Sequence, residues 1–153
     1  MKPYLYQSPT AQIGMTCTYS KKAFSLMLKE AGISITVEQM AILNLLVIED
    51  NLSMRDLAEK TFTDNSAITR IIDNLQKYGM VKRKSEVKDR RLKLIGITSK
   101  GKDEVRKANQ IGKKYVKAAT NGISKKELDN MVLTLKKIRI NITQVNGKLD
   151  GTL

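Results

Sequence analysis

Asn65, Ser66, Thr69 and Arg70 recur at helical spacing within six positions, and each carries a hydrogen-bonding group long enough to reach into a groove. At 100° per residue they share an arc with Asp73 and Lys77, opposite Ala67, Ile68, Ile71, Ile72, Leu75 and Tyr78. Amides, hydroxyls and a guanidinium in such a row read hydrogen-bond patterns, base edges among them, and hold phosphates. A second group follows directly. The stretch from Lys82 to Lys93 carries seven basic residues against two acidic ones, with Lys88, Asp89, Arg90 and Arg91 at its centre. Arginines on a projecting loop suit a minor groove, where a narrow cleft concentrates negative potential.

The residues that covalent chemistry needs are missing. Without histidine there is no Ser-His-Asp or Cys-His arrangement and no imidazole for a metal. No phosphate-cradling glycine loop and no cysteine cluster occurs, so no enzyme activity, cofactor or metal is expected. A net charge of +13 and a pI near 9.9 favour polyanionic partners. One cysteine and a start without an apolar leader segment suggest a reducing, cytoplasmic setting. The longest apolar run, 40–48, is interrupted by Asn44 and falls far below the ~20 residues of a membrane span. At 153 residues the chain fits one domain able to bury its own core.

The elements that must position the two groups follow from capping and periodicity. Residues 1–10, with Pro3 and Pro9, read as an irregular arm before a first helix from Thr10 to Ala31, ended by Gly32. Thr36 with Gln39 makes a capping box for a second helix that Asp50-Asn51 breaks. Ser53 and Asp56 cap a short third helix, with Leu52 and Leu57 as a hydrophobic staple. Asp64 or Thr63 caps the fourth, polar-faced helix, which runs to Tyr78 and stops at Gly79. Segments 80–86 and 92–97 alternate as two strands around the charged tip, and Thr98 caps a fifth helix from Ser99 to Ala119. After Gly122-Ile123-Ser124, a sixth helix repeats Leu128, Met131, Leu135, Ile138, Ile142 and Val145 at spacings of three and four. That is a heptad-like seam in need of a partner helix. The tail 147–153 is expected to fray.

A short capped helix, a polar-faced helix, a basic hairpin and another helix make a winged helix-turn-helix: mainly α, with a small β-hairpin wing flanked by N- and C-terminal dimerisation helices. Leu57-Ala58-Glu59, Ser66 to Leu75 (SAITRIIDNL), Gly79 to Arg83 (GMVKR), Asp89-Arg90-Arg91 and Ile97 to Gly101 (ITSKG) resemble, in order and spacing, the MarR family of bacterial transcriptional regulators. The resemblance extends upstream through Gly32, Thr36 to Gln39 and Leu43, and downstream through the last two helices.

It implies one domain over 1–153, with a DNA-binding lobe at about 36–98 and dimerisation helices at about 10–31 and 99–147. It implies a homodimeric, ligand-responsive repressor on a palindromic double-stranded DNA operator, relieved by a small-molecule effector. Asn65, Ser66, Thr69 and Arg70 would face the major groove, Lys88, Asp89, Arg90 and Arg91 the wing contacts, and Leu128, Met131, Leu135, Ile138 and Ile142 the dimer interface. The family's wing signature braces an arginine with a carboxylate. Analogy favours Arg91 as the partner of Asp89, while the residues alone leave Arg90 and Arg91 open. Asp73 is expected to balance Arg70 or Lys77.

Three further expectations follow. Cys17 lies more than a turn away from the place of the peroxide-sensing cysteine of some relatives, near Gln12, so a packed or interface role is expected. Met15, Tyr19, Phe24, Met27, Met40 and Tyr115 are candidates for an effector pocket, with core packing as the plainer role. Thr61-Phe62-Thr63 lacks the glycine common in the family's turn before the recognition helix. A rival reading is a winged helix that mediates protein assembly or binds structured RNA, which would need the polar face to meet protein or an A-form groove.

Overall fold

Four side chains of the expected type start the helices that frame the lobe. Thr36, Ser53, Asp64 and Thr98 accept from the backbone N–H groups of Gln39, Asp56, Ala67 and Gly101, at 3.2, 3.1, 2.8 and 3.1 Å. Each removes a donor that the first helical turn leaves without an internal partner. At Thr36 and Ser53 the box is reciprocal, because Gln39 and Asp56 accept in return from the cap residue's own N–H.

These starts belong to a computed structural model that describes residues 4–85 and 93–146. Its elements run α1 (Tyr4–Gln7), α2 (Pro9–Glu30), α3 (Val37–Ile48), β1 (Leu52–Ser53), α4 (Met54–Thr61), α5 (Asn65–Lys77), β2 (Val81–Ser85), β3 (Lys93–Ile97), α6 (Ser99–Ala119) and α7 (Lys125–Asn146). The N-terminal arm is more regular than expected. Pro9 sits in the first turn of α2, where its fixed φ and missing N–H cost nothing, and Ser8 caps the helix.

α3, α4 and α5 enclose a core in which Ile42, Leu43, Leu46, Leu57, Ile68, Ile72 and Leu75 are almost wholly buried. A three-stranded antiparallel sheet in the order β1-β3-β2 closes one side. β3 pairs Leu52↔Ile95 on one edge and Val81↔Ile97 through Ser85↔Lys93 on the other. β1 was absent from the sequence reading, since two residues carry no detectable alternation. Asp50 helps hold it, accepting the backbone N–H of Ile97 at 2.8 Å.

α6 leaves this lobe at a seat that requires glycine. A Cβ on buried Gly101 would strike the Met80 carbonyl oxygen. The same oxygen accepts the Thr98 N–H at 3.0 Å, so helix start and wing base share one anchor. Farther along, α6 is fastened to α3 by a reciprocal amide pair, Asn44 with Asn109, at 2.7 and 3.3 Å. It is fastened to α2 by the Tyr115 hydroxyl donating to Ser20 at 2.7 Å and by the Phe24–Tyr115 rings at 5.3 Å.

α7 is different in kind. The Ser124–Glu127 box starts it, yet none of its described side chains is buried. Met131 is 49% exposed and Ile142 43%, while Leu128, Leu135 and Ile138 are half-buried, so the apolar seam is only partly covered within one chain. One other expectation is corrected. Tyr78 is exposed, because it ends α5 in a non-helical conformation beyond the buried arc. Of the packed or interface role expected for Cys17, only the packing within one chain is ruled out, since the residue is exposed on α2.

Candidate nucleic-acid interface

Asp64 organises the start of α5. Its carboxylate accepts the Ser66 hydroxyl at 2.5 Å and the Ala67 N–H at 2.8 Å. Those bonds, the Ser66 hydroxyl first, hold its pKa below the ordinary carboxylate value. The helix then presents Asn65, Ser66, Thr69 and Arg70 to solvent on one face, with Ile68, Ile72 and Leu75 buried on the other. The Thr69 hydroxyl donates to the Asn65 carbonyl at 2.8 Å. Ser66 and Thr69 therefore spend their protons inside the helix and offer oxygen lone pairs outward.

The turn before α5 carries the departure noted in the sequence. Phe62 stands in the left-handed region at φ 51°, ψ 41°, where its N–H reaches back to the α4 carbonyls, and its ring is 66% exposed. A backbone shape that glycine adopts freely is kept by a bulky residue.

The carboxylate of Asp73 meets neither Arg70 nor Lys77. It accepts from Arg83 of β2 at 2.5 Å, while a second guanidinium nitrogen of Arg83 donates to Gln76 at 2.9 Å. One planar fork thus ties the exposed helix to the stem of the wing. Sequence reading missed this residue, counting Arg83 only as hairpin charge. On the same stretch of α5, buried Gln39 donates to Asn74 at 2.5 Å, locking the helix against the start of α3. Lys84 reaches Asn51 at 3.0 Å, and Lys82 is exposed. Lys88, Asp89, Arg90 and Arg91 lie outside the described residues, as does the expected pairing of Asp89.

Where α2, α3 and α6 meet, Phe24, Met40, Tyr115 and Val116 line an open hollow of about 730 Å³ with Lys113 and Lys117 at its rim. Met15, Tyr19 and Met27 do not line it. Among the described residues no group of His, Cys, Asp and Glu is placed to hold a metal, and no helix is long and apolar enough to cross a membrane.

The arrangement has counterparts of known family. A model of the MarR family matches residues 32–92. The chain is 28% identical over 118 residues to the uncharacterized HTH-type transcriptional regulator YdgJ of Bacillus subtilis (strain 168), covering 77% of this chain and 72% of that one. The transcriptional regulator BldR from Sulfolobus solfataricus superposes with a TM-score of 0.79 at 26% identity, over 92% of this chain and 99% of that one. The ligand-free form of the organohalide-sensing regulator RdhR-CbdbA1625 gives 0.86 at 20% identity, over 99% and 89%. Its 2,4-dichlorophenol-bound form gives 0.81 at 19% identity, over 97% of this chain and 83% of that one.

Proposed function

We infer from the family model over residues 32–92 and the likeness to YdgJ that the chain is a DNA-binding transcriptional regulator of the MarR family, and we propose that it acts as a homodimeric, ligand-responsive repressor of a palindromic operator. The carrying observation is the polar face of α5. Asn65, Ser66, Thr69 and Arg70 stand exposed over a buried apolar face, on a helix braced to the wing stem through Arg83. In this reading the four side chains enter the major groove, and Lys88, Asp89, Arg90 and Arg91 serve the flanking backbone and minor groove. The lobe at about 36–98 reads DNA, and the helices at about 10–31 and 99–147 join two copies.

The homodimer is supported by α7, whose Met131 and Ile142 are exposed and whose Leu128, Leu135 and Ile138 are only half-buried in one chain. A dyad would place two α5 helices one helical turn of DNA apart, ~34 Å, and hence call for a palindrome. Ligand response is supported by the hollow beside Phe24, Met40 and Tyr115 and by a structural neighbour solved with and without 2,4-dichlorophenol. Selection of bound fragments from random duplex DNA tests the proposal. Enrichment of an inverted repeat, lost on Arg70→Ala, is expected; absence of any enriched duplex sequence would overturn it.

A further inference from the structure

The positive charge of this chain is not confined to the DNA-reading elements. Residues 36–98 hold eleven Lys and Arg against nine Asp and Glu, whereas residues 99–153 hold thirteen against five. Part of that excess lines a second hollow of about 410 Å³, between the end of α3 and the stretch of α6 from Lys102 to Lys113. Lys102, Arg106 and Lys113 follow one edge of α6 at i, i+4 and i+11, so they lean to the same side. Val47 and Val105 supply apolar wall. Asn109 and Gln110 bring two side-chain amides between the cations.

None of the lining residues is acidic, and among the described residues no carboxylate pairs with Lys102 or Lys113. Arg106 is shared with Asp103 at 2.9 Å, an exposed pair that a stronger anion can draw on. Three cations converging on one cavity exceed what a single carboxylate can use. They match a ligand with several negative charges, and phosphate oxygens suit both guanidinium and ammonium. The valines and amides ask for a flat, largely apolar body with hydrogen-bonding edges, as a nucleobase has. The cavity volume lies within the ~300–1,000 Å³ range of small-molecule sites.

We propose that this hollow is a binding site for a phosphorylated small molecule of nucleotide type, its phosphates on Lys102, Arg106 and Lys113 and its ring system against Val47, with Asn109 or Gln110 on the ring edge. The site is distinct in chemistry from the aromatic-walled hollow beside it, although Asn109 and Lys113 border both. It needs neither an operator nor repression to exist.

Calorimetric titration of the full chain with adenosine diphosphate, adenosine and inorganic pyrophosphate, at ~0.15 M salt to screen diffuse attraction, tests it. The diphosphate should bind at least tenfold more tightly than either fragment. The double variant Lys102→Gln, Lys113→Gln and, separately, Val47→Glu should each weaken the diphosphate at least tenfold, with thermal melts confirming that both fold. Pyrophosphate binding as tightly as the nucleotide would overturn the proposal in favour of a merely basic surface. Unchanged nucleotide affinity in both folded variants would also overturn it.

Discussion

Arg83 shows what a single side chain can set in this lobe. Its fork joins Asp73 and Gln76 of α5 to β2, so the helix that presents Asn65 to Arg70 and the strand that carries the wing hold one mutual angle. Arg83→Ala is expected to weaken operator binding by roughly tenfold, ~1.4 kcal/mol, while costing at most ~1 kcal/mol of stability because the pair is partly exposed. Fluorescence anisotropy beside chemical denaturation separates the two; equal losses in both would refute a positioning role. Asp64 gives a pH signature. Its folded pKa is lowered, so its capping contribution is complete above the unfolded carboxylate range and disappears as pH falls through the folded value. Asp64→Asn, still a good cap, should narrow its melting-temperature gap from wild type on acidification; a gap constant from neutral to acid pH contradicts this. Phe62→Gly should stabilise the chain by about 0.5–1 kcal/mol, the left-handed penalty relieved less the extra freedom of unfolded glycine. Urea denaturation reads the sign. The caps at Thr36, Ser53 and Asp64 were legible because donor and acceptor lie three residues apart in the chain. The Arg83–Asp73 contact was not, because a helix end and a turn separate its partners and only the folded angle brings them together.

Among the elements, α5 and α7 were both legible as stripes, for opposite reasons. The α5 arc is met by core on one side, and only Tyr78 at its end escapes burial. The α7 seam repeats just as clearly, yet its own chain buries none of it fully. A helix of 22 residues with no buried side chain among those described has little beyond propensity and side-chain pairs to hold it in water. Leu135→Glu with Ile142→Glu should therefore convert a dimer to a monomer in sedimentation and lower overall helicity. A variant that sediments as the wild type would remove α7 from the interface. β1, with two residues, escaped the sequence, whereas α2 was legible as a helix although its Ile13 and Cys17 are left exposed by a single chain. Periodicity marks which residues avoid water. It does not say whether the cover comes from the same chain or another.

At the scale of the whole molecule, charge makes two assemblies respond oppositely to salt. Joining two copies through α7 brings together segments that each hold thirteen basic against five acidic residues, a repulsion that ions screen. Operator binding releases counterions and weakens as salt rises. Between about 0.05 and 0.3 M salt, the dimer dissociation constant should therefore fall while the operator constant climbs, as sedimentation and anisotropy on the same samples would record. Parallel trends would place the repulsion elsewhere. The seat of Gly101 against the Met80 carbonyl adds a mechanical consequence. α6 is a rod of 21 residues, ~31 Å long, seated at one end on the base of the wing and tied along its length to α3 at Asn109 and to α2 at Tyr115. A tilt of ~5° about that seat, shared by α2 and α3 through these ties, displaces the far end by ~3 Å, so a small change at the wing base is magnified where two copies would meet.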